Sequence, residues 1–256
     1  MCGRFTVHDR LEEMEAFFRL LSGIDLLVEQ QHREHWQPLF NIAPTHPVSI
    51  IRTLKEEEQG EGPQSDDILS LKLAIVQWGL VPLWAKDPSI GAKMINARSE
   101  TASQKPSFRG PMRYRRCLIP ANGFYEWKSD RVNGKQPYYI SSKQERWLLF
   151  AGIWDHWTGP DGSEVETAAI LTTSANETLK PLHERMPVLI PPSQVTQWLD
   201  MELHPREVEH LLQSAPEDQL QMWPVTTRMN SPKYDCAEAL DRQPEMPPKP
   251  SQQSLF

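Results

Sequence analysis

Five β-rich segments follow one another between residues 115 and 175: RRCLIP (115–120), GFYEW (123–127), PYYISS (137–142), WLLFAGIWDHW (147–157) and AAILTTSA (168–175). Two turn signals punctuate the run, Asn133-Gly134 and Gly159-Pro160-Asp161-Gly162, and the first is of the kind that closes a hairpin. Two further β-rich stretches lie upstream, PVSIIRT (47–53) and LSLKLAIVQWGLVP (69–82), the second alternating Leu69, Leu71, Leu73 and Ile75 on one face. Helical spacing gathers near the ends. Leu11, Met14, Phe17, Phe18 and Leu21 mark one amphipathic helix with Gly23 as its stop, and short helices are expected after Ser193 and from Pro205. Strands in the middle and helices toward the ends predict an α+β fold: a single domain whose antiparallel β-sheets form a barrel-like core flanked by helices, not an alternating βαβ chain.

The 256 residues are ample for one large domain or two small ones with a real core. No apolar run approaches the roughly 18 residues of a membrane span, which excludes a transmembrane reading. The start, MCGRFTVHDR, has no apolar stretch of the signal-peptide kind, so a cytoplasmic location is expected. Cys2, Cys117 and Cys236 form no CxxC pair, so neither a zinc site nor a disulfide framework is expected. The net charge of −7 hides an uneven distribution. Residues 55–67, KEEEQGEGPQSDD, contribute −5 and read as a solvated loop between two strands. The stretch Lys93–Lys128 carries eight bases and two acids, a balance of +6, and is where a polyanion is expected to dock. From Asp241 to Phe256 the chain is Pro- and Gln-rich and reads as a disordered tail (241–256), leaving 2–240 as the domain. The chain shows no internal repeat, Gly-rich phosphate loop or nucleophile elbow.

Four groups of residues could carry chemistry. Loss of Met1 would leave Cys2 with a free α-amine and a thiol, both partly unprotonated near neutral pH. Such an aminothiol condenses with an aldehyde, the amine forming a Schiff base and the thiol closing a thiazolidine ring; the plain alternative is an incidental cysteine. Glu126 shares a strand face with Phe124, opposite Tyr125 and Trp127. If that face is inward, burial raises the carboxyl pKa and suits it to general acid–base work; if outward, it is a surface carboxylate. His183 and Arg185 in PLHERMPVLI, and Asn96 and Arg98 in INARSET, are candidates for proton transfer and phosphate binding, or else polar loop residues. Among the tryptophans, Trp84 in LVPLWAKDPS and Trp78 are the candidates for exposed rings that stack on unpaired bases.

The order of these segments is specific: Met-Cys-Gly-Arg-Phe at the start, Asn-Ala-Arg-Ser-Glu-Thr at 96–101, Gly-Phe-Tyr-Glu-Trp at 123–127 and His-Glu-Arg-Met-Pro at 183–187. With WGLVPLWA at 78–85 and WPVTTRMN at 223–230, the chain resembles, over about residues 2–240, the SRAP family of SOS response-associated peptidases, also described as abasic-site processing proteins. The resemblance implies a groove for single-stranded DNA and a mature N-terminal cysteine, Cys2, that crosslinks to an abasic site. It implies active-site roles for Asn96, Glu126 and His183. It implies phosphate-binding arginines at Arg4, Arg98 and Arg185, and a Thr on the strand before the histidine, matched by Thr172. Some relatives carry a second Trp next to the position of Trp84, where this chain has Ala85. No metal or cofactor is called for, and a monomer is expected. The family's peptidase label is read as removal of its own Met1. Two other readings of the residues stand beside this one: a thiol hydrolase using Cys2, His183 and Asn96, and a passive single-stranded DNA binder.

Overall fold

The computed structural model describes residues 2–21, 24–54, 69–130 and 134–245; Gly23, the 55–67 loop, Asn133 and the tail from 246 lie outside the described residues. In chain order the strands are β1 (Phe5–Val7), β2 (Ile24–Leu27), β3 (Leu39–Ile42), β4 (Pro47–Thr53), β5 (Leu69–Trp78), β6 (Asn96–Arg98), β7 (Arg116–Ala121), β8 (Gly123–Asp130), β9 (Gly134–Ser142), β10 (Leu148–Thr158), β11 (Glu164–Ser174), β12 (Arg185–Pro187) and β13 (Leu220–Pro224). The α-helices are short: α1 (Leu11–Arg19), α2 (Gln30–His35), α3 (Ser99–Ala102), α4 (Arg109–Tyr114) and α5 (Val195–Leu199). None of the described helices is long and apolar enough to cross a membrane.

Strands β11, β10, β7, β4 and β5 are bonded in that order, and β5 pairs again with β11, so five strands close on themselves. A ring with an odd number of strands cannot alternate direction all the way round; one pairing must be parallel. It is β5 with β11, at Gln77↔Thr167 and Trp78↔Ala168, and the other four are antiparallel. Closure removes the unpaired edges an open sheet would leave. Strand β11 outruns its neighbours: past β5 its edge takes β6 in parallel, and past β10 its other edge takes β12. The site is built at this overhang.

A second, antiparallel sheet of order β13-β9-β8-β1-β3 lies against the barrel. Phe5 of β1 meets Trp78 edge-on at 5.0 Å and Phe150 at 5.8 Å, and Phe124 of β8 meets Phe150 at 5.8 Å. Edge-to-face pairs of this kind bury large apolar area and fix orientation. On the sheet's other face Tyr125 and Tyr139 pack with Val225 and Met229 from the C-terminal turns. The α+β architecture expected from the sequence is therefore present.

Three details differ from expectation. The alternation in β5 does not persist: Leu71 and Leu73 are buried, but Ile75 is 42% exposed while Ala74, Val76 and Trp78 are buried. The strand's two halves are thus covered from opposite sides, as a strongly coiled sheet requires. The helix expected from Pro205 is a pair of 3-10 turns, Pro205–Glu207 and Glu209–Leu211, with Pro205 in the first helical position. Placed chain also continues five residues past the expected boundary at 240, where Gln243 N–H donates to Pro224 O and Arg242 lies over the Trp223 ring.

Trp78, expected as an exposed stacking ring, is fully buried at the barrel's closing seam. Its indole N–H donates to Ile95 O at 2.9 Å and its ring supports Phe5. Full burial leaves this ring no face on which a base could stack. Trp78→Ala should cost about 3–5 kcal/mol in chemical denaturation. Trp78→Phe, which loses the bond to Ile95, should fall between it and the parent.

Candidate active site

The start of the chain is held in the interior because β1 lies between β3 and β8 rather than at an edge. Pairing continues toward the terminus, where Tyr125 N–H donates to Arg4 O at 2.9 Å. The same register sets Glu126 across from Gly3, beside Cys2. Glu126 is buried, on the Phe124 side of the strand, so the inward alternative holds. Cys2 is fully buried, with its Sγ 3.9 Å from Arg4 O. Burial pushes the Cys2 thiol pKa up and the Glu126 carboxylate pushes it further, so the sulfur is held as the protonated thiol.

Asn96 reaches the same point from the barrel side. Its strand β6 is aligned by Ile170↔Asn96 pairing with β11, and the preceding carbonyl, that of Ile95, is held by Trp78. Asn96 Nδ2 donates to Cys2 O at 2.8 Å. Its Oδ1 is buried with no hydrogen-bond partner among the described residues, an acceptor left beside the Cys2 main chain.

Two residues along β6, hence on the same face and about 7 Å away, Arg98 opens a cleft of about 750 Å³ lined also by Ser174, Ala175, Lys180, His183, Glu184 and Arg185. His183 sits in the connection between β11 and β12. Its Nδ1 accepts from Arg185 N–H at 2.9 Å, so the neutral ring carries its proton on Nε2. The Arg185 guanidinium is committed to protein: it donates to Glu100 Oε1 at 2.5 Å, to Glu100 Oε2 at 2.9 Å and to Thr172 O. That fork holds the Glu100 carboxyl below its usual pKa range. Thr172 is buried and donates to Ala97 O at 3.4 Å, a tie between β6 and β11 rather than an exposed contact.

Arg4 is similarly engaged. Its Nη1 donates to Asn41 Oδ1 at 2.8 Å, and Asn41 Nδ2 donates to Ser231 O at 3.0 Å and Tyr234 O at 2.8 Å. Trp84 is exposed, beside a separate hollow of about 480 Å³. Its neighbour Ala85 is buried and accepts the Trp157 indole N–H at 2.8 Å, so this turn presents one ring, that of Trp84.

The structure thus gathers Cys2, Asn96 and Glu126, with His183, Arg98 and Arg185 along the adjoining cleft. Three of the eight bases in the stretch 93–128 are engaged with protein. Arg116 is buried against the carbonyls of Trp198 and Met112, Arg115 pairs with Asp155 at 3.3 Å, and Arg113 donates to Met201 O. Chain-local charge counting missed Lys180, which lies far outside that stretch, and nothing in FNIAP flagged Asn41. Among the described residues no cluster of three His, Cys, Asp or Glu side chains is placed to hold a metal ion. Asn41→Ala strands one guanidinium N–H and two carbonyls, and should lower stability by about 1–3 kcal/mol in a thermal melt.

The model of the family described as SOS response associated peptidase (SRAP) matches residues 1–232. Abasic site processing protein YoqW of Bacillus subtilis is 35% identical over 242 residues, covering 94% of this chain and 99% of that relative. Abasic site processing protein HMCES of Gallus gallus is 33% identical over 230 residues, covering 80% of this chain and 66% of that protein. A crystal structure of a Bacteroides thetaiotaomicron protein superimposes with a TM-score of 0.76 at 26% identity, over 94% of this chain and 100% of that one. A phage-related protein of Bordetella bronchiseptica gives 0.61 at 29% identity, over 88% and 94%. With nearly its whole length matched, the chain belongs to the SRAP family.

Proposed function

We propose that this protein processes abasic sites in single-stranded DNA by forming a covalent thiazolidine through Cys2 once Met1 has been removed, and so shields the lesion. The observation that carries this reading is the convergence on Cys2 of Asn96, by a 2.8 Å hydrogen bond, and of the buried Glu126, with Asn96 two residues along β6 from Arg98, which lines a cleft with Lys180 and His183. The names of the relatives, abasic site processing proteins, support the same substrate class.

The chemistry follows from the residues. The Cys2 amine, its N–H accepted by the free Asn96 Oδ1, attacks C1′ of the ring-opened sugar, where the carbon is an aldehyde. His183 Nε2–H gives its proton to the carbinolamine hydroxyl, which leaves as water, and Nε2 takes the carbinolamine N–H proton in return, giving the neutral imine. The thiol then adds to C1′. Because burial holds that sulfur protonated, a base is needed, and Glu126 beside it takes the thiol proton and returns it to the imine nitrogen. The balance is one C–N and one C–S bond formed and one water lost, with no oxidant, metal or cofactor in the step. Arg98 meets a flanking phosphate and Trp84 offers its ring to an unpaired base, while Arg4, Arg185 and Thr172 hold the walls. The peptidase activity of the family description corresponds in this reading to self-removal of Met1. The protein acts as a monomer on single-stranded DNA in the cytoplasm.

A single-stranded oligonucleotide with one abasic site, incubated with the purified protein and run on a denaturing gel, tests this. A band heavier by the protein's mass should form, be absent with Cys2→Ala, and be absent when one residue is added ahead of Cys2. Glu126→Gln should slow it on the order of 10²-fold. Turnover of amide substrates without an adduct would favour a thiol hydrolase, and a Cys2→Ala adduct as abundant as the parent's would remove the Cys2 thiol from the chemistry.

A further inference from the structure

We propose that the outer face of residues 105–114, from Lys105 along α4 to Tyr114, is a docking track for the single-stranded DNA that flanks the abasic site, with the Tyr114 ring stacking on an unpaired base. This rests on the reading above for the identity of the polyanion and extends it to a surface outside the cleft. The segment begins at the cleft, since Arg98, which lines it, immediately precedes α3. It leaves as a series of helical turns: Lys105 N–H donates to Thr101 O, Arg109 N–H to Lys105 O, Met112 N–H to Phe108 O and Arg115 N–H to Pro111 O. Phe108, Pro111 and Met112 are buried, which fixes the phase of these turns against the core. Lys105, Arg109 and Arg113, spaced four residues apart, then follow one side of the segment at about 6 Å of axial rise per step.

These cations are not neutralised by the protein. Lys105 and Arg109 are exposed, and their side chains make no hydrogen bond or ion pair among the described residues. Arg113 spends one N–H on Met201 O and lies over the Tyr114 ring, 4.9 Å from its centroid. The one acid between residues 98 and 116, Glu100, is held on both oxygens by Arg185 and leaves the stripe uncompensated. Tyr114 is 65% exposed. With the guanidinium on one side of its ring, the other side is open to a second flat group. Cations in a row suit a phosphate backbone, and an exposed ring beside them suits a base, a combination that serves an unpaired strand. A duplex hides the faces of its bases and an acidic peptide has none, so the single strand is the occupant that uses both features.

The test is non-covalent binding of an undamaged single-stranded oligonucleotide, followed against salt concentration, which is independent of the crosslink. Each phosphate contact to a single strand contributes about 0.7 to the slope of log K against log salt, so a double variant, Lys105→Gln with Arg109→Gln, should lower it by about 1.4. Tyr114→Ala should weaken binding about tenfold at an unchanged slope, and Tyr114→Phe, which keeps the ring, should bind like the parent. On a duplex of the same length Tyr114→Ala should have no effect. All three positions are exposed, so misfolding is not at issue. An unchanged slope in the double variant would overturn the proposal, as would parental affinity in Tyr114→Ala or an equal loss on single strand and duplex. Adduct formation on abasic DNA separates the two readings. A parent that shows these dependences yet forms no adduct removes the crosslink and leaves the track; a parental adduct with unaltered binding in the variants removes the track and leaves the crosslink.

Discussion

Everything at the site depends on a chain terminus being trapped in a sheet interior. Ends of polypeptides usually fray, since few contacts repay the entropy of ordering them. Here the first strand lies between two others, and Phe5 is wedged against Trp78 and Phe150 from the barrel. The same tryptophan bonds the carbonyl preceding Asn96. One buried indole therefore fixes both sides of the site, the terminus that bears Cys2 and the strand that bears Asn96, before any ligand arrives. Preorganisation of this kind suits the proposed two-nucleophile reaction, which then needs no search for geometry.

The closing of the barrel explains why the site is where it is. Five strands force one parallel pairing, and that pairing ends early, so β11 continues beyond both neighbours. The exposed edges are then covered by three-residue strands carrying Asn96 and Arg98 on one side and Arg185 on the other. Short strands on an overhang make a rim, and a rim beside a pinned terminus makes a cleft. The Arg185–Glu100 fork and the Thr172 hydroxyl tie the two covering strands to it.

Much of this was legible in the residues. The run of β-rich segments between 115 and 175 gave the α+β class because its period and turn signals are local properties. Cys2, Asn96, Glu126 and His183 were singled out by motif order, while strand parity put Glu126 on the Phe124 face without deciding whether that face is buried. Trp78 was offered as an exposed ring because the β-rich segment that carries it does not by itself reveal the seam that buries it. Charge counting along the basic stretch does not show which of its bases are free, because neighbours in sequence, such as Arg115 and Arg116, meet different partners in space. Lys180 and Asn41 carry no local signal at all: one becomes part of the site only when the β11–β12 connection folds over β6, the other only when the C-terminal turns reach Arg4.

In the proposed reaction nitrogen and sulfur of the same residue both bond to the sugar carbon. Intact mass spectrometry of the isolated conjugate, with and without borohydride, examines that directly. A mass equal to protein lacking Met1 plus DNA less one water, unaltered by borohydride, is the predicted result. A conjugate that gains two hydrogens on reduction would be an open imine, leaving the thiol outside the reaction and contradicting the role assigned here to Glu126 and to Cys2 sulfur.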